Sequence, residues 1–304
     1  MAVRDARAEA ADRAGHRFDV RVLEPSPPAV DEPPFFADDP LDGGDVVPVE
    51  RIGSRSWAQL CDEEDDAELR SWCEDRWLIR GSLAPLPESF ARTVTALHRL
   101  AEHVLAPARH AANGKIGLRF TYRGFGTPFF GADRQVRVEE GVLVDGERRH
   151  AAASVAEAAA FIGLPVGVPT GVYTPATPYE PHTPLAIDPA AARALGDWYG
   201  FGASLIEQLR ADATASDDPG RVQVWPEHFD IAVVMGPAGE RANYGASPGD
   251  PAHDEPYLYI DPFDARQGEF WNEPFGASLS YAEILAGADP LAFLRRGRAL
   301  LTAG

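Results

Sequence analysis

From Pro87 onward the apolar positions fall at steps of three and four: Phe90, Val94, Leu97, Leu100, Val104 and Leu105 make one stripe. That period predicts a helix with one buried side. Asn113-Gly114 supplies its stop, because glycine takes the left-handed conformation that commonly closes a helix. The period then changes to two. Ile116, Leu118, Phe120 and Tyr122 alternate with Gly117, Arg119, Thr121 and Arg123, which predicts a strand with one buried face. Gly124-Phe125-Gly126-Thr127-Pro128 is expected to break it. Val136 and Val138, a Glu140-Gly141 turn and Val142 to Val144 predict a hairpin. Ser154 with Glu157 forms a capping box opening a helix to about Phe161.

Residues 164–187 contain six prolines and no period, so they predict a long ordered loop or a lid. Asp188-Pro189 caps a helix carrying Leu195, Trp198, Tyr199, Leu205 and Leu209 to about Arg210. A second strand-rich block follows, with Val222 and Val224, an apolar run from Phe229 to Met235, and another from Tyr257 to Ile260. Ser280 with Glu283 caps a short helix, and Asp289-Pro290 opens the last one, ending near Leu301.

The predicted fold class is therefore α+β: a mainly antiparallel sheet from two strand-rich blocks, about 116–145 and 221–262, with helices packed on it. The two blocks are candidates for divergent halves of a single domain spanning 49–304. Residues 1–48 are expected to form an acidic, Pro-rich N-terminal arm, with a short strand predicted at Phe18, Val20 and Val22 and seven prolines between Pro25 and Pro48. A further helix is predicted over 62–79, with Leu69, Trp72, Cys73, Arg76 and Trp77 at helical steps.

Charge narrows the chemistry. The chain carries 28 basic and 47 acidic side chains, a net charge of −19, and one lysine, Lys115. A phosphate-cradling loop or a Schiff-base enzyme needs a lysine in a context that Asn113-Gly114-Lys115-Ile116 does not supply. A chain this acidic lacks the basic footprint for nucleic acid or an anionic membrane surface. Cys61 and Cys73 match no zinc or redox spacing. Residues 1–17 have no apolar leader core and no window approaches 18 apolar residues, so a cytoplasmic protein is expected.

Two familiar patterns fail. Gly245-Ala246-Ser247-Pro248-Gly249 matches the nucleophile elbow, but Pro248 has no N–H for the oxyanion hole. A type II turn, with Pro248 and Gly249 central and Ser247 and Asp250 closing it, fits better. Gly124-Phe125-Gly126 lacks the third glycine of a dinucleotide fingerprint.

The densest chemistry is Trp225-Pro226-Glu227-His228-Phe229-Asp230. An extended chain there would put His228 and Asp230 on one face and Phe229, Ile231 and Val233 on the other. His253, Glu255, Tyr257 and Tyr259 would likewise share a face, and pairing of the two segments would bring imidazoles and carboxylates together. His228, Asp230, Glu255 and Tyr257 are thus the candidate catalytic residues, with Arg119, Tyr244 and His253 as candidate substrate contacts. Such a set performs acid–base catalysis on a small molecule, or binds zinc, iron or manganese. It names neither metal nor cofactor nor oligomeric state. The alternative is a non-catalytic small-molecule-binding or protein-interaction protein in which the same residues support turns. Arg123 and Arg137 more readily pair with surface acids than clamp a substrate, and His98 and His103, five apart, fall on different faces of an α-helix.

As a set, Trp225-Pro226-x-His228-Phe229-Asp230, Tyr244-Gly245-x-Ser247-Pro248-Gly249-Asp250 and Glu255-Pro256-Tyr257-x-Tyr259 resemble the signature of an uncharacterised bacterial domain-of-unknown-function family. The stretch from Lys115 through Arg123 to Phe161 is similar to that family's first half, so the resemblance covers about residues 115–286. It implies no activity, cofactor or partner.

Overall fold

The computed structural model describes residues 83–121, 123–128, 134–164, 167–168 and 171–302. The predicted arm, the 18–22 strand, the 62–79 helix and both cysteines lie outside them. The stripe from Phe90 forms helix α1 (Phe90–Leu100), which passes through a π turn (Ala101–Leu105) into α2 (Ala106–Asn113). Gly114 closes α2 with φ 77°, donating to His110 O at 2.7 Å. Phe90, Leu97, Leu100, Val104 and Leu105 are buried, as the spacing requires.

The first sheet is a meander of β1 (Arg119–Thr121), β2 (Gly124–Gly126), β3 (Val136–Glu139), β4 (Val142–Asp145) and β5 (Arg148–His150). Gly124-Phe125-Gly126 is a strand and not the expected break. The missing side chains let the β3 backbone approach: a Cβ on Gly124 would run into the Val138 carbonyl. The strand predicted from Ile116 is shorter than its alternation suggests. Leu118 makes only a bridge to Val224, and Thr121, expected on the polar face, is fully buried.

Helix α3 (Val155–Ile162) starts where Ser154 Oγ accepts from Glu157 N at 3.2 Å. Helix α4 (Pro189–Ala211) starts where Asp188 Oδ1 accepts from Ala190 N at 2.9 Å. The second sheet is another five-stranded meander: β6 (Gln223–Trp225), β7 (Asp230–Met235), β8 (Ala242–Ser247), β9 (Tyr257–Pro262) and β10 (Ala277–Ser280). Helices α5 (Tyr281–Leu285) and α6 (Pro290–Thr302) follow.

All strand pairings among the described residues are antiparallel, so the chain is an α+β protein. The Leu118–Val224 bridge, with bonds of 2.7 and 2.9 Å, joins the edges of the two sheets. Helix α4 packs on β1, β2 and β3 of one sheet and on β7 and β8 of the other. It approaches closely because Gly196 leaves no side chain to collide with the Arg123 backbone. Ile231, Val233, Met235, Ala242, Tyr244, Ala246, Leu258 and Ile260 make the core face of the second sheet. The opposite pleat therefore carries Asp230, Gly245, Ser247, Tyr257 and Tyr259. Among the described residues no helix is long and apolar enough to cross a membrane.

Candidate functional site

Trp225 and Asp230 pair across the neck of the β6–β7 hairpin, so Pro226, Glu227, His228 and Phe229 form a four-residue loop, not an extended segment. Phe229 closes it with φ 55°, a left-handed conformation unusual for a bulky residue. Packing enforces it. The ring stacks on His98 at 4.9 Å and meets Phe125 and Tyr199 edge-on at 5.0 and 5.7 Å. The Tyr199 hydroxyl donates to the Phe229 carbonyl, and Phe229 N donates to Trp225 O at 2.7 Å. Strain of this kind costs on the order of 1 kcal/mol and persists only where the surroundings over-determine it. Because the chain turns here, His228 is exposed and Asp230 buried; strand alternation begins only at Asp230.

Asp230 is 4% exposed. Its Oδ2 accepts from the Tyr259 hydroxyl, while Oδ1 has no hydrogen-bond partner among the described residues. Burial pushes its pKa up to about 6; the Tyr259 bond, the His228 charge and its own N–H oppose the rise, and the Glu227 charge adds to it. Glu227 Oε2 is likewise buried without a partner among the described residues. Tyr259 reaches Asp230 across β8, over Gly245, where any Cβ would collide with the phenol ring.

The π turn stands beside this loop. Its defining bond runs from Ala106 N to Ala101 O, and this i→i+5 spacing brings residues five apart toward one neighbourhood. His98 and His103 lie within electrostatic reach of one another but take different partners. His98 Nε2 lies 2.7 Å from Pro226 O and 3.8 Å from Glu102 Oε2. Fully buried Glu102 accepts from Ala176 N and Thr177 N, both at 2.7 Å, and from Thr177 Oγ1 at 2.5 Å. Since the Thr177 hydroxyl proton goes to Glu102, the 3.0 Å contact between His103 Nε2 and Thr177 Oγ1 assigns the ring proton to Nε2. The Tyr173 hydroxyl donates to Glu102 O at 3.4 Å. The long Pro-rich segment is thus tied to the π turn. Burial lowers the pKa of both His98 and His103, more than the Glu102 charge and the hydrogen bonds to Pro226 and Thr177 restore it. Tyr173 is raised by burial, then by the charges of Glu102 and Glu227, so its hydroxyl lies within electrostatic reach of both.

A second cluster lies at the rim. Asp250 N donates to His253 O at 2.9 Å and His253 N to Asp250 O at 3.1 Å. This tight bridge uses the N–H that the expected turn would have bonded to Ser247. Gly249 does adopt positive φ, 104°, and its N–H reaches Ser247 Oγ at 3.2 Å. His253 Nδ1 lies 3.2 Å from Asp250 Oδ1 and Nε2 lies 3.1 Å from Glu273 Oε1. Tyr257 donates to Asp250 Oδ2 at 2.5 Å, and Ser278 to Glu273 Oε1 at 2.8 Å. Burial works against the charged ring, but the hydrogen bonds and charges of Glu273 and Asp250 outweigh it and raise the His253 pKa. Asp250 is lowered: burial opposes, and the Tyr257, Ala252 and His253 bonds prevail.

The single convergence expected of His228, Asp230, Glu255 and Tyr257 is thus replaced by two clusters, connected where the Tyr257 and Tyr259 rings lie 6.2 Å apart. Glu255 is exposed, because the strand begins only at Tyr257 and the residues before it do not share its pleat. Tyr244 faces the core, on the opposite pleat from Asp230. Arg119 is half-buried on β1. Arg123 pairs with Glu140 at 2.6 Å and Arg137 with Glu139 at 3.5 Å. Sequence reasoning weighed His98 and His103 but set them apart, quoted Glu227 without giving it a role, and passed over Glu102, Tyr173 and Glu273. The usable signal was Glu102, an acid between the apolar positions Ala101, Val104 and Leu105 and four residues after a histidine. Among the described residues no group of three or more His, Cys, Asp or Glu is arranged to hold a metal ion. In comparisons with family models, curated proteins and solved structures, the chain matches none.

Proposed function

We propose that the protein is an enzyme acting on a small molecule by acid–base chemistry, with Asp230 as the proton-exchanging group, His228 beside it and His98 stacked on the intervening Phe229. One observation carries this: a carboxyl that is 4% exposed, has one oxygen without a partner among the described residues, and titrates at about 6. A group that titrates near working pH while costing the fold stability is better matched to proton transfer than to holding the structure. A cytoplasmic setting and the absence of a nucleic-acid partner belong to the same proposal, supported by 47 acidic against 28 basic side chains.

The sign is testable. A carboxyl titrating at about 6 when folded and near 3.8 when unfolded contributes stability below pH 4 that is lost as pH rises to about 6, about 3 kcal/mol in all. Asp230→Asn is isosteric and does not ionise. In urea unfolding it should be more stable than wild type at pH 7.5 by about 1–3 kcal/mol, with the gain shrinking toward pH 4. A variant less stable than wild type at pH 7.5 would show that the carboxylate supports the fold. That result would favour the non-catalytic reading, which rests on Glu102 and His253 being saturated by their neighbours.

A further inference from the structure

Glu227 lies in the β6–β7 loop and Asp230 at the start of β7, three positions on, each with a buried carboxyl oxygen that has no hydrogen-bond partner among the described residues. Leaving an ionised oxygen buried and unanswered costs several kcal/mol unless a cation or donor meets it. The third acid nearby, Glu102, is already answered by three donors. Among the described residues His228 acts on Asp230 electrostatically, and burial disfavours the charged form of His98. Aromatic side chains stand beside the two acids: the Tyr259 hydroxyl bonds Asp230, Phe229 lies between them in the chain with its ring stacked on His98, and the Tyr173 hydroxyl feels the charge of Glu227. Two carboxyl oxygens without partners among the described residues match an organic cation with several N–H groups, which gains a charge-assisted hydrogen bond to each. A metal ion fits less well, since no three ligating groups converge among the described residues.

We propose that Glu227 and Asp230 receive the cationic head of a small organic molecule, an amidinium or guanidinium whose N–H groups bond Glu227 Oε2 and Asp230 Oδ1. The assignment rests on the acid–base reading of Asp230 and names the substrate class for it. Both oxygens are sealed, so admission requires a neighbouring segment to move. The 171–187 segment, which carries Tyr173 and is held to the π turn by Glu102, is that neighbour.

Calorimetric titration of the full chain at pH 7.5 with benzamidine, its neutral analogue benzamide and its anionic analogue benzoate tests the class directly. Benzamidine should bind at least tenfold more tightly than benzamide, and benzoate should give no binding. Because proton and cation compete for Asp230, benzamidine affinity should fall below pH 6. Asp230→Asn and Glu227→Gln should each weaken it at least tenfold; the second, in the hairpin loop, serves if the first fails to fold. The proposal is overturned if benzamidine and methylguanidine both fail to bind at millimolar concentration, if benzamide matches benzamidine, if both variants bind like wild type, or if calcium or magnesium binds there instead. Failure here and failure of the acid–base reading are distinguishable. A stabilised Asp230→Asn with no cation binding removes only the ligand class, whereas a destabilised Asp230→Asn removes the acid–base assignment.

Discussion

The cluster around the π turn and the cluster at the Asp250 bridge use the same residue types to opposite electrostatic ends. Around the π turn, His98 and His103 sit near a fully buried glutamate, yet burial outweighs that charge and both rings are held below their ordinary pKa. At the rim, His253 lies between Asp250 and Glu273, each within 3.2 Å, and the pairing outweighs burial. The difference lies in what the carboxylates do elsewhere. Glu102 spends its oxygens on Ala176 and Thr177 and lies 3.8 Å from His98, whereas Asp250 and Glu273 bond His253 directly. A histidine near an acid is thus not by itself an ion pair; a direct bond and partial solvation decide.

The largest break in this contrast comes from Glu102→Ala. It leaves two backbone N–H groups and the Thr177 hydroxyl without their acceptor, a loss of about 4 kcal/mol in urea unfolding. Hydrogen exchange at Ala176 and Thr177 should quicken more than exchange in β8. A loss below about 1 kcal/mol would mean that the Pro-rich segment is held by other contacts.

Next in size is Gly245→Ala, which removes the space Tyr259 needs to reach Asp230. Overpacking of this kind costs about 2 kcal/mol. Since the Tyr259 bond holds the Asp230 pKa down, losing it should move that titration above 6, readable from the carboxyl carbon by NMR. A variant of unchanged stability and titration would show that the phenol does not depend on the glycine.

These two sites also show what could be read from sequence. Elements whose ends carry local chemistry were legible: Asp188-Pro189, Ser154 with Glu157, Ser280 with Glu283 and Asn113-Gly114 cap helices where the patterns place them. The meander character was legible from the period-two runs. Strand β8 was not, because Asn243, Gly245 and Ser247 have little strand preference and Gly245 is there for Tyr259, a residue 14 positions away in sequence. The 226–229 loop was misread because a left-handed closing residue is normally signalled by glycine or asparagine, and here Phe229 is held by His98, Phe125 and Tyr199 from three distant elements. The π turn has no sequence signature, so the nearness of His98, Glu102 and His103 was hidden.

The smallest effect is the sharpest on sign. His253 is raised in the folded protein, so the stability it contributes is fully present below the ordinary imidazole value of 6.5 and is lost as pH rises through the raised one. His98 and His103 are lowered, so theirs is present above 6.5 and is lost as pH falls through the folded values. His253→Gln should therefore cost up to about 1 kcal/mol near pH 6, the upper range for partly exposed pairs, and progressively less toward pH 8. His98→Phe preserves the stack on Phe229 and should lose less, relative to wild type, at pH 5.5 than at pH 7.5. Imidazole Cε1 resonances followed across this range must titrate on opposite sides of 6.5, His253 above and His98 below. If both titrate on the same side, burial and pairing do not divide the two clusters, and the acid–base assignment loses its electrostatic contrast with the rim.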